Sequence, residues 1–349
     1  MFEAVVMLCA GLEGSPCRAV LLPGFEAADL SLCEAELSAS PPDLSGFGAT
    51  SAPLTSAPLC QPVGDVLETV EIAEGVYVHS GLIEEPTPDN RGDVSNLGFI
   101  IGTDSVAVID SGSARWIGEA TWRAIRARTD KPVSHVILTH MHPDHVFGAP
   151  VFAEAGAEVV GHANLSRALA DRQANYLDSL NRLIGVGPML GTRMPTVTMP
   201  VDSGVTLDLG GRVLQVTTWP LAHSPTDLTV YDATTGTLFA GDLLFHDHAP
   251  ALDGSVLGWQ AVLTALRGLP AAQVVPGHGA ATLPWPKGAE ALERYLETLL
   301  ADTRAAIAAG MRLGDAVETI AAAEAPFWHL FDAYNPRNAT VAFTELEWE

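Results

Sequence analysis

Three histidines and an aspartate occur within the heptapeptide THMHPDH, and imidazole and carboxylate groups are the side chains that bind zinc and related cations. His140 and His142 are separated by one residue, so on an extended backbone both side chains point to the same face and can reach one ion. Pro143 then ends the strand and turns Asp144 and His145 towards a neighbouring position. The segment therefore predicts a metal site at the end of a strand.

Three later segments end apolar, strand-like runs with one more candidate ligand each. They are His223 in WPLAHSPTD, Asp242 in TLFAGDLLF and His278 in VVPGHG. The complete set of five histidines and two aspartates is too large for one tetrahedral ion. Two ions that share a carboxylate need about this number of ligands and leave positions open for water. We therefore expect two Zn²⁺ as cofactors, with iron or manganese as alternatives.

Such a site predicts hydrolysis, with a metal-bound hydroxide as the nucleophile. Two zinc ions lower the pKa of a shared water from about 15.7 to near 7, and one of them can polarise the substrate carbonyl. Asp144 is the predicted catalytic residue, because it would bind the second ion and orient the hydroxide. Asp227 and Thr139 are expected to hydrogen-bond ligand histidines. The roles of His246 and His248 stay open between protonating the leaving group and a supporting or surface position.

The elements that would position these residues begin near residue 66. Strand-like runs such as NLGFIIG and SVAVIDSG alternate with helical runs such as ARWIGEATWRAIRART, which predicts two sheets covered on the outside by helices. Residues 87–93 and 164–195 are expected to overhang the site as long loops or lids. Within the second segment, Arg172 and Tyr176 are either substrate contacts or part of a solvated helix face.

The composition divides the chain into three parts. Residues 38–64 are rich in proline, serine, glycine and alanine without periodicity, which is typical of an irregular linker. We therefore predict a small cysteine-bearing N-terminal module and linker over 1–64, a catalytic domain over 65–286 and a helical C-terminal extension over 287–349.

The four cysteines lie in the first 60 residues: Cys9, Cys17, Cys33 and Cys60. They favour two disulfides, with three connectivities open, and hence an oxidising compartment such as the periplasm. Four buried reduced thiols are the alternative, and a zinc site is disfavoured because no C-x-x-C pair occurs. The first basic residue is Arg18, so the N-terminus does not read as a secretion signal. We expect a periplasmic protein whose signal peptide is absent from this sequence.

The charge balance limits the partners. Eighteen basic residues against 42 acidic ones give a formal net charge of −24, which repels phosphate backbones and anionic lipid surfaces. No apolar run reaches the roughly 18 residues that span a bilayer. We therefore expect a small-molecule substrate and neither a nucleic-acid nor a membrane partner.

The candidate ligand pattern resembles the metallo-β-lactamase superfamily over roughly residues 66–285. The resemblance implies an α+β fold, an αββα sandwich, whose metal site lies at the edge of two facing sheets. It also implies that Asp110, in VAVIDSG, supports the metal-binding loop. Lactamases of the cysteine-containing subclass have a thiolate where this chain has Asp242, whereas the glyoxalase-type and lactonase-type branches keep the aspartate. The implied ligands are His140, His142 and His223 for the first metal, Asp144, His145 and His278 for the second, and Asp242 as the bridge.

A closer likeness extends over nearly the whole chain. The stretches EEPTPDNRGDVSNLGFIIG and LFAGDLLFHDHAPALDGSVLGW, the cysteine-bearing start and the ending AFTELEWE resemble the SoxH-related quinoprotein relay system zinc metallohydrolases. That family is associated with periplasmic PQQ-dependent dehydrogenase systems, so the resemblance implies a quinoprotein dehydrogenase as a partner. After GDLLF, relatives usually carry other charged residues where this chain has His246, Asp247 and His248, so this loop does not predict specificity.

The sequence thus predicts a dinuclear zinc hydrolase of a small ester, thioester or lactone. A β-lactam hydrolase is one alternative, and a chromogenic cephalosporin tests it. A mononuclear iron persulfide dioxygenase is another, distinguished by one iron per chain and oxygen uptake. The third is a non-catalytic accessory protein of a quinoprotein, which would keep its physiological function after His142→Ala.

Overall fold

A computed structural model describes residues 1–11, 14–48 and 56–349. The N-terminal module is a three-stranded sheet with two short helices, and the central strand β1 pairs antiparallel with both neighbours. Its elements are β1 (Phe2–Cys9), β2 (Cys17–Ala27), α1 (Leu30–Ala39), α2 (Ser45–Gly48) and β3 (Leu59–Pro62). Helix α1 begins where the Asp29 side chain accepts the Leu32 N–H, as an N-cap does.

Two disulfides fix this module. Cys9–Cys17 joins the ends of the β1–β2 hairpin, and Cys33–Cys60 ties α1 to β3. The prediction of two disulfides is confirmed, and the structure selects one of the three connectivities. The prediction that residues 38–64 form an irregular linker is wrong for Leu59–Pro62, because this stretch is strand β3 and completes the module's sheet. Residues 49–55 of the predicted linker lie outside the described residues.

Buried ion pairs attach the module to the following helix, α3 (Arg115–Arg126). Glu3 on β1 binds Arg123 at 2.7 Å, and Arg18 on β2 binds Glu119. Glu119 also receives the Arg115 guanidinium at 3.0 Å. Breaking a buried pair by removing one partner is strongly destabilising, so these contacts give the module a fixed attachment. The division of the chain into 1–64, 65–286 and 287–349 stays a prediction.

The first sheet of the main domain has seven strands in the order β10-β9-β8-β7-β6-β5-β4. The strands from β7 to β10 are parallel, and β4 to β7 are antiparallel. The remaining elements of this half are β4 (Val70–Ala73), β5 (Val76–His79), β6 (Leu97–Ile101), β7 (Val106–Ile109), β8 (Val133–Ile137), α4 (Pro143–Val146), α5 (Ala149–Glu154), β9 (Glu158–His162), α6 (Leu165–Ile184), α7 (Val186–Met189) and β10 (Met199–Val201).

The second sheet has six strands in the order β11-β12-β13-β14-β15-β16, with β14 and β15 parallel. Its strands are β11 (Gly204–Asp208), β12 (Val213–Thr218), β13 (Leu228–Asp232), β14 (Thr237–Phe245), β15 (Gln273–His278) and β16 (Leu283–Pro284). The helices of this half are α8 (Val256–Leu266), α9 (Glu290–Ala308), α10 (Leu313–Ala316) and α11 (Phe331–Leu346), with 3₁₀ turns at Lys287–Ala289 and Ala322–Phe327.

Three apolar cores separate four layers. Side chains from both sheets, such as Ile100 and Phe239, form the central core. Residues of α3, α5 and α6 pack on the outer face of the first sheet, and residues of α8, α9 and α11 pack on the second. This arrangement confirms the predicted αββα sandwich with a cysteine-bearing N-terminal module and C-terminal helices. Among the described residues, no helix is long and apolar enough to cross a membrane.

Candidate metal centre and active-site cavity

The THMHPDH segment lies just beyond β8. The strand ends at Ile137, three residues before His140, so the two alternating histidines stand on the connecting loop rather than on the strand itself. His142 occupies the N-cap position of α4, and Pro143 lies in the first turn of this helix, where a backbone N–H would have no intrahelical acceptor. The short helix then carries Asp144 and His145 to the neighbouring position, as predicted.

All seven predicted site residues come together. They form two groups, and within each group the candidate donor atoms lie within 4.8 Å of one another. The first group is His140, His142, His223 and Asp242, and the second is Asp144, His145 and His278. Their role as metal ligands stays a prediction.

Asp242 lies between the two groups. Its Oδ2 atom is 3.5 Å from Nε2 of both His140 and His223, in the first group. Its Oδ1 atom is 3.2 Å from Nε2 of His145 and 3.5 Å from Nε2 of His278, in the second. One carboxylate oxygen therefore faces each group, which is the arrangement that a bridging ligand requires.

Each histidine of the first group uses one ring nitrogen for a protein contact and presents the other to the centre. His140 Nδ1 lies 3.0 Å from Thr139 Oγ1, and His223 Nδ1 lies 2.6 Å from the Ala251 carbonyl oxygen. His142 Nε2 lies 3.1 Å from Asp253 Oδ2. Carbonyl and carboxylate oxygens only accept, so the partners of His223 and His142 assign the proton to the contacting nitrogen. The Thr139 hydroxyl donates its own proton to Asp110 and therefore accepts from His140 Nδ1, so each ring keeps a lone pair on its other nitrogen.

The second group is oriented in the same way. His145 Nδ1 lies 2.8 Å from Asp110 Oδ2, and His278 Nδ1 lies 2.9 Å from the carbonyl oxygen of Val94. The Asp110 carboxylate also accepts hydrogen bonds from both the backbone N–H and the hydroxyl of Thr139, each at 2.8 Å. The predicted supporting roles of Asp110 and Thr139 agree with these contacts. The prediction for Asp227 holds only for the backbone: its carboxylate accepts from the backbone N–H and hydroxyl of Ser224 and from the backbone of His223, and it does not bind a histidine ring.

The donor atoms fit divalent cations. His140 Nε2, His145 Nε2 and Asp242 Oδ1 are buried and have no hydrogen-bond partner among the described residues, although they approach one another closely. His223 Nε2 and His142 Nδ1, both assigned a lone pair, face each other at 3.0 Å. Two nitrogen ligands of a tetrahedral zinc ion lie about 3.3 Å apart when each bond is about 2.0–2.1 Å. Two facing lone pairs at this distance repel each other unless a cation lies between them.

The electrostatics are those of a buried, mutually charged cluster. Burial would raise the pKa of Asp144, but the neighbouring His145 and His278 hold it below its ordinary value. Burial lowers the pKa of His223 to about 3, whereas the carboxylate of Asp242 overcomes burial and raises that of His278 to about 9. The site thus keeps its carboxylates ionised, which a cation-binding centre requires.

Two glycines allow the close packing around Asp242. A Cβ atom on Gly277 would stand 1.9 Å from Asp242 Oδ1. Gly241 has a positive φ of 53°, and its Cβ would stand 2.6 Å from Thr139 Oγ1. Any larger residue at either position would displace the carboxylate or the threonine that supports His140.

A cavity of about 490 Å³ opens onto the cluster. A larger concavity, of about 900 Å³, lies between the N-terminal module and α3, but no clustered histidine is among the described residues that line it, and we assign the chemistry to the smaller one. The candidate ligands in the smaller cavity's wall are His142, Asp144, Asp242 and His278, and its other walls come from Glu84–Pro86, Val94, Ser113, Pro143, α6, Phe245, His248, residues 251–253 and α11.

The lid predictions hold in part. Helix α6 contributes Arg172 and Tyr176 to the cavity, and Arg172 binds Asp253 at 2.9 Å. Near the other predicted lid, Glu84–Pro86 and Val94 line the wall, whereas residues 87–93 between them do not. His248 is buried in the wall with its ring 4.7 Å from that of His278, whereas His246 is not among the lining residues.

Sequence reasoning missed two contributors. Asp253 lies in a loop 111 residues after His142, and helix α11 brings Tyr334, Arg337, Asn338 and Val341 to the cavity from the C-terminal extension. Neither group has a metal-ligand spacing or ends a strand. The DG pair at Asp253–Gly254 indicated only a turn.

Comparisons with known proteins agree with this fold. Three solved structures are similar over about two thirds of this chain: a metallo-beta-lactamase from Pontibacter korlensis (21% identity, TM-score 0.55, 66% of this chain and 99% of that one), TMB-1 (20%, 0.52, 66% and 97%) and the DIM-1 metallo-beta-lactamase (16%, 0.52, 67% and 98%). No curated protein matched by sequence. The family model for the metallo-beta-lactamase superfamily matches residues 90–278, more than half of the chain and the span that holds all seven clustered residues. The chain therefore belongs to the metallo-beta-lactamase superfamily.

Proposed function

We propose that this chain is a dinuclear metal-dependent hydrolase that cleaves a small ester, thioester or lactone. The observation that carries the proposal is the convergence of two donor groups on the single carboxylate of Asp242, in which His140 Nε2, His145 Nε2 and Asp242 Oδ1 are buried without a hydrogen-bond partner among the described residues. Members of the superfamily are generally metal-dependent hydrolases, which supports the same reaction class.

The residues divide into two holding groups. His140, His142 and His223 would hold one ion, and Asp144, His145 and His278 would hold the other, with Asp242 between them. When bound, two divalent ions supply an acidified water as nucleophile and a Lewis acid for the carbonyl oxygen. Zinc suits a set made of imidazole and carboxylate ligands, and iron and manganese accept the same donors.

The cavity-facing residues of the chain would orient the substrate and move protons. Asp144 is 19% exposed towards the cavity, so its carboxylate can orient the attacking water as well as hold an ion. Burial raises the pKa of Tyr176 to about 12, which keeps its hydroxyl protonated and able to donate to a substrate oxygen. Burial lowers the pKa of His248 to about 4, so its ring is neutral at pH 7 and can accept a hydrogen bond.

The cavity walls favour a small substrate with an apolar part. Leu180 and Leu183 on α6, together with Phe245, Leu252 and Val341, are among the residues that line the cavity. Pockets of this size, mostly apolar with a few converging polar groups, are typical of small-molecule sites. An acyl or alkyl chain would bury against these residues while the scissile carbonyl lies at the clustered donors.

The finer assignment rests on the closer resemblance and on the cysteines. We propose a periplasmic enzyme of the SoxH-related type, with zinc as its metal and a functional link to a quinoprotein dehydrogenase. Two disulfides in the N-terminal module suit an oxidising compartment outside the cytoplasm. Co-purification with a PQQ-dependent dehydrogenase would support the link, and its absence from cross-linked periplasmic extracts would count against it.

The first test is metal quantification on protein purified without added metal, followed by a panel of esters, thioesters and lactones. We expect two zinc ions per chain and hydrolysis that chelation abolishes. His223→Ala should lose one ion and at least ~100-fold in activity, since removing a ligand exceeds the 10–100-fold effect of its outer partners. His135→Ala, at a half-buried histidine outside the cluster, is the matched control. One iron per chain with oxygen uptake on a persulfide would contradict the proposal.

A β-lactam hydrolase is the second candidate, because metallo-beta-lactamases are among the similar solved structures. Identities of 21% and 16% carry the fold alone, so the substrate must be measured. Turnover of a chromogenic cephalosporin that falls in proportion to chelation would favour this candidate over the ester, thioester or lactone.

A further inference from the structure

Residues 249–255, which we call the orienting loop, fix the rings of two candidate ligands. The Ala251 carbonyl accepts the His223 Nδ1 proton at 2.6 Å, and the Asp253 carboxylate lies 3.1 Å from His142 Nε2. The backbone N–H of Asp253 also donates to the His223 carbonyl at 2.9 Å. A shift of this loop would therefore turn the donor nitrogens of both histidines away from the first metal position.

The C-terminal helix α11 holds this loop. Asn338 accepts the Leu252 N–H with its Oδ1 atom at 3.0 Å and donates from Nδ2 to the Pro250 carbonyl at 2.6 Å. Glu345 accepts from the Ser255 hydroxyl at 2.5 Å and from the N–H of the following residue at 2.8 Å. An amide and a carboxylate on one helix thus bind the middle and the end of the orienting loop.

A buried polar network fixes the amide of Asn338 in turn. Its Nδ2 also donates to Tyr295 Oη at 2.7 Å, and Tyr295 Oη donates to Asn335 Oδ1 at 2.9 Å. Asn335 then donates to the carbonyl of Ile320 at 2.9 Å. All three side chains are buried, so an alternative orientation of the Asn338 amide would leave polar groups without partners in a dry interior.

The second group of candidate ligands has different supports. His145 is held by Asp110, and His278 by the Val94 carbonyl; neither contact involves the orienting loop or α11. The His278 ring also lies 4.7 Å from the ring of His248, whose Nδ1 contacts the Ala249 carbonyl of the orienting loop at 2.6 Å. A shift of the loop would therefore act mainly, but not exclusively, on the position formed by His140, His142 and His223, whereas a general loss of stability would affect both metal positions equally. The two effects can therefore be separated by measurement.

We propose that helix α11 is a positioning element for the first metal ion: Asn338 and Glu345 hold the orienting loop, and the loop sets His142 and His223 in their ligand orientation. This inference rests on the proposed function because it requires that the cluster bind metal. It does not depend on which substrate is cleaved. Asn338 and Asp253 are positioning residues, because they act through the two histidines.

The test uses full-length protein stripped by a chelator and then titrated with Co²⁺, with the visible absorption of the bound ion as one readout. Competition with a chromogenic chelator gives a dissociation constant for each Zn²⁺ ion as the other. Asn338→Ala should weaken one ion about 10–100-fold and the other by clearly less. Thr303→Ala, which removes a buried hydroxyl of α9 outside this network, is the matched control: it should lower the melting temperature and leave both dissociation constants unchanged.

A second variant guards against misfolding of Asn338→Ala. Asp253 is 33% exposed, so Asp253→Ala should fold and weaken the same ion, and Asp253→Asn, whose amide oxygen can still accept from His142, should recover part of the loss. Equal weakening of both ions, unchanged binding, or the same effect in Thr303→Ala would overturn the inference. Wild-type protein that binds two ions but hydrolyses nothing would contradict the proposed function alone, and protein that binds no ion would contradict both.

Discussion

Asp110 offers the sharpest test of how the metal centre is held. Its carboxylate accepts three hydrogen bonds, from His145 Nδ1 and from the N–H and hydroxyl of Thr139, each at 2.8 Å. The Thr139 hydroxyl in turn contacts His140. In Asp110→Asn, one accepting oxygen becomes an NH₂ group, which must face either the Thr139 N–H or the Thr139 hydroxyl and His145 Nδ1. In the first orientation two N–H donors clash; in the second, His145 moves its proton to Nε2, the atom that must carry the lone pair for a metal ion.

The size of the effect follows from these contacts. Replacing the outer partner of a metal-binding histidine costs about 10–100-fold in metal affinity, which is about 1.4–2.7 kcal/mol. The loss should fall mainly on the ion held by His145 and its group. Buried donors left without an acceptor also cost about 1–3 kcal/mol, so the melting temperature of the metal-free protein should fall as well.

Zinc titration of chelator-stripped protein against a competing chelator measures this change. Asp171→Asn is the control, because it removes the same charge from a side chain that is 70% exposed at the surface. If folded Asp110→Asn binds both ions with wild-type affinity, the hydrogen bonds of Asp110 do not orient His145 and the reasoning is refuted.

Three further predictions concern the remainder of the fold. Glu119→Gln should lower the free energy of unfolding by about 3–5 kcal/mol at pH 7 in a urea titration, because it breaks buried ion pairs. Burial would raise the pKa of Glu119, but Arg18 and Arg115 hold that pKa below 4.5. The stabilisation by ionised Glu119 is therefore present above pH 4.5 and lost as the pH falls. A difference in unfolding free energy between wild type and variant that stays constant in acid would be inconsistent with this pKa. The Cys33–Cys60 disulfide joins residues 27 positions apart, so replacing both cysteines with serine should lower the free energy of unfolding by about 3–4 kcal/mol. The metal content, measured by mass spectrometry, should not change. Trp259→Ala should cost about 3–5 kcal/mol in thermal unfolding, since this fully buried ring packs beside His223; a loss under 1 kcal/mol would mean that the core collapses around the gap.

The sequence was sufficient for those parts of the site that depend on local spacing. The positions of His140, His142, Asp144 and His145 depend on one another within a few residues of the chain, so a short motif around Pro143 is enough to predict them. The alternation of strands and helices likewise predicted the sandwich, because hydrophobic periodicity reflects which face of each element is buried.

Other features depend on contacts between distant segments, and no local pattern encodes these. Asp253 meets His142 across 111 positions, and Asn338 meets Leu252 across 86. The segment Leu59–Pro62 reads as a linker by composition, yet it becomes a strand because β1 offers a free edge and Cys60 is bound to Cys33. The choice among three disulfide connectivities needed the same tertiary information.

Helix α11 carries two kinds of residue near the candidate site: Asn338 and Glu345 hold the orienting loop, whereas others only line the cavity. Tyr334, Arg337 and Val341 touch the chamber but none of them belongs to either donor group or contacts the orienting loop through a hydrogen bond. Under the proposed function, exchanges at these three positions would reshape the cavity without removing a candidate ligand or a hydrogen bond to the orienting loop. Substrate preference would then be open to change through a few side chains of one helix.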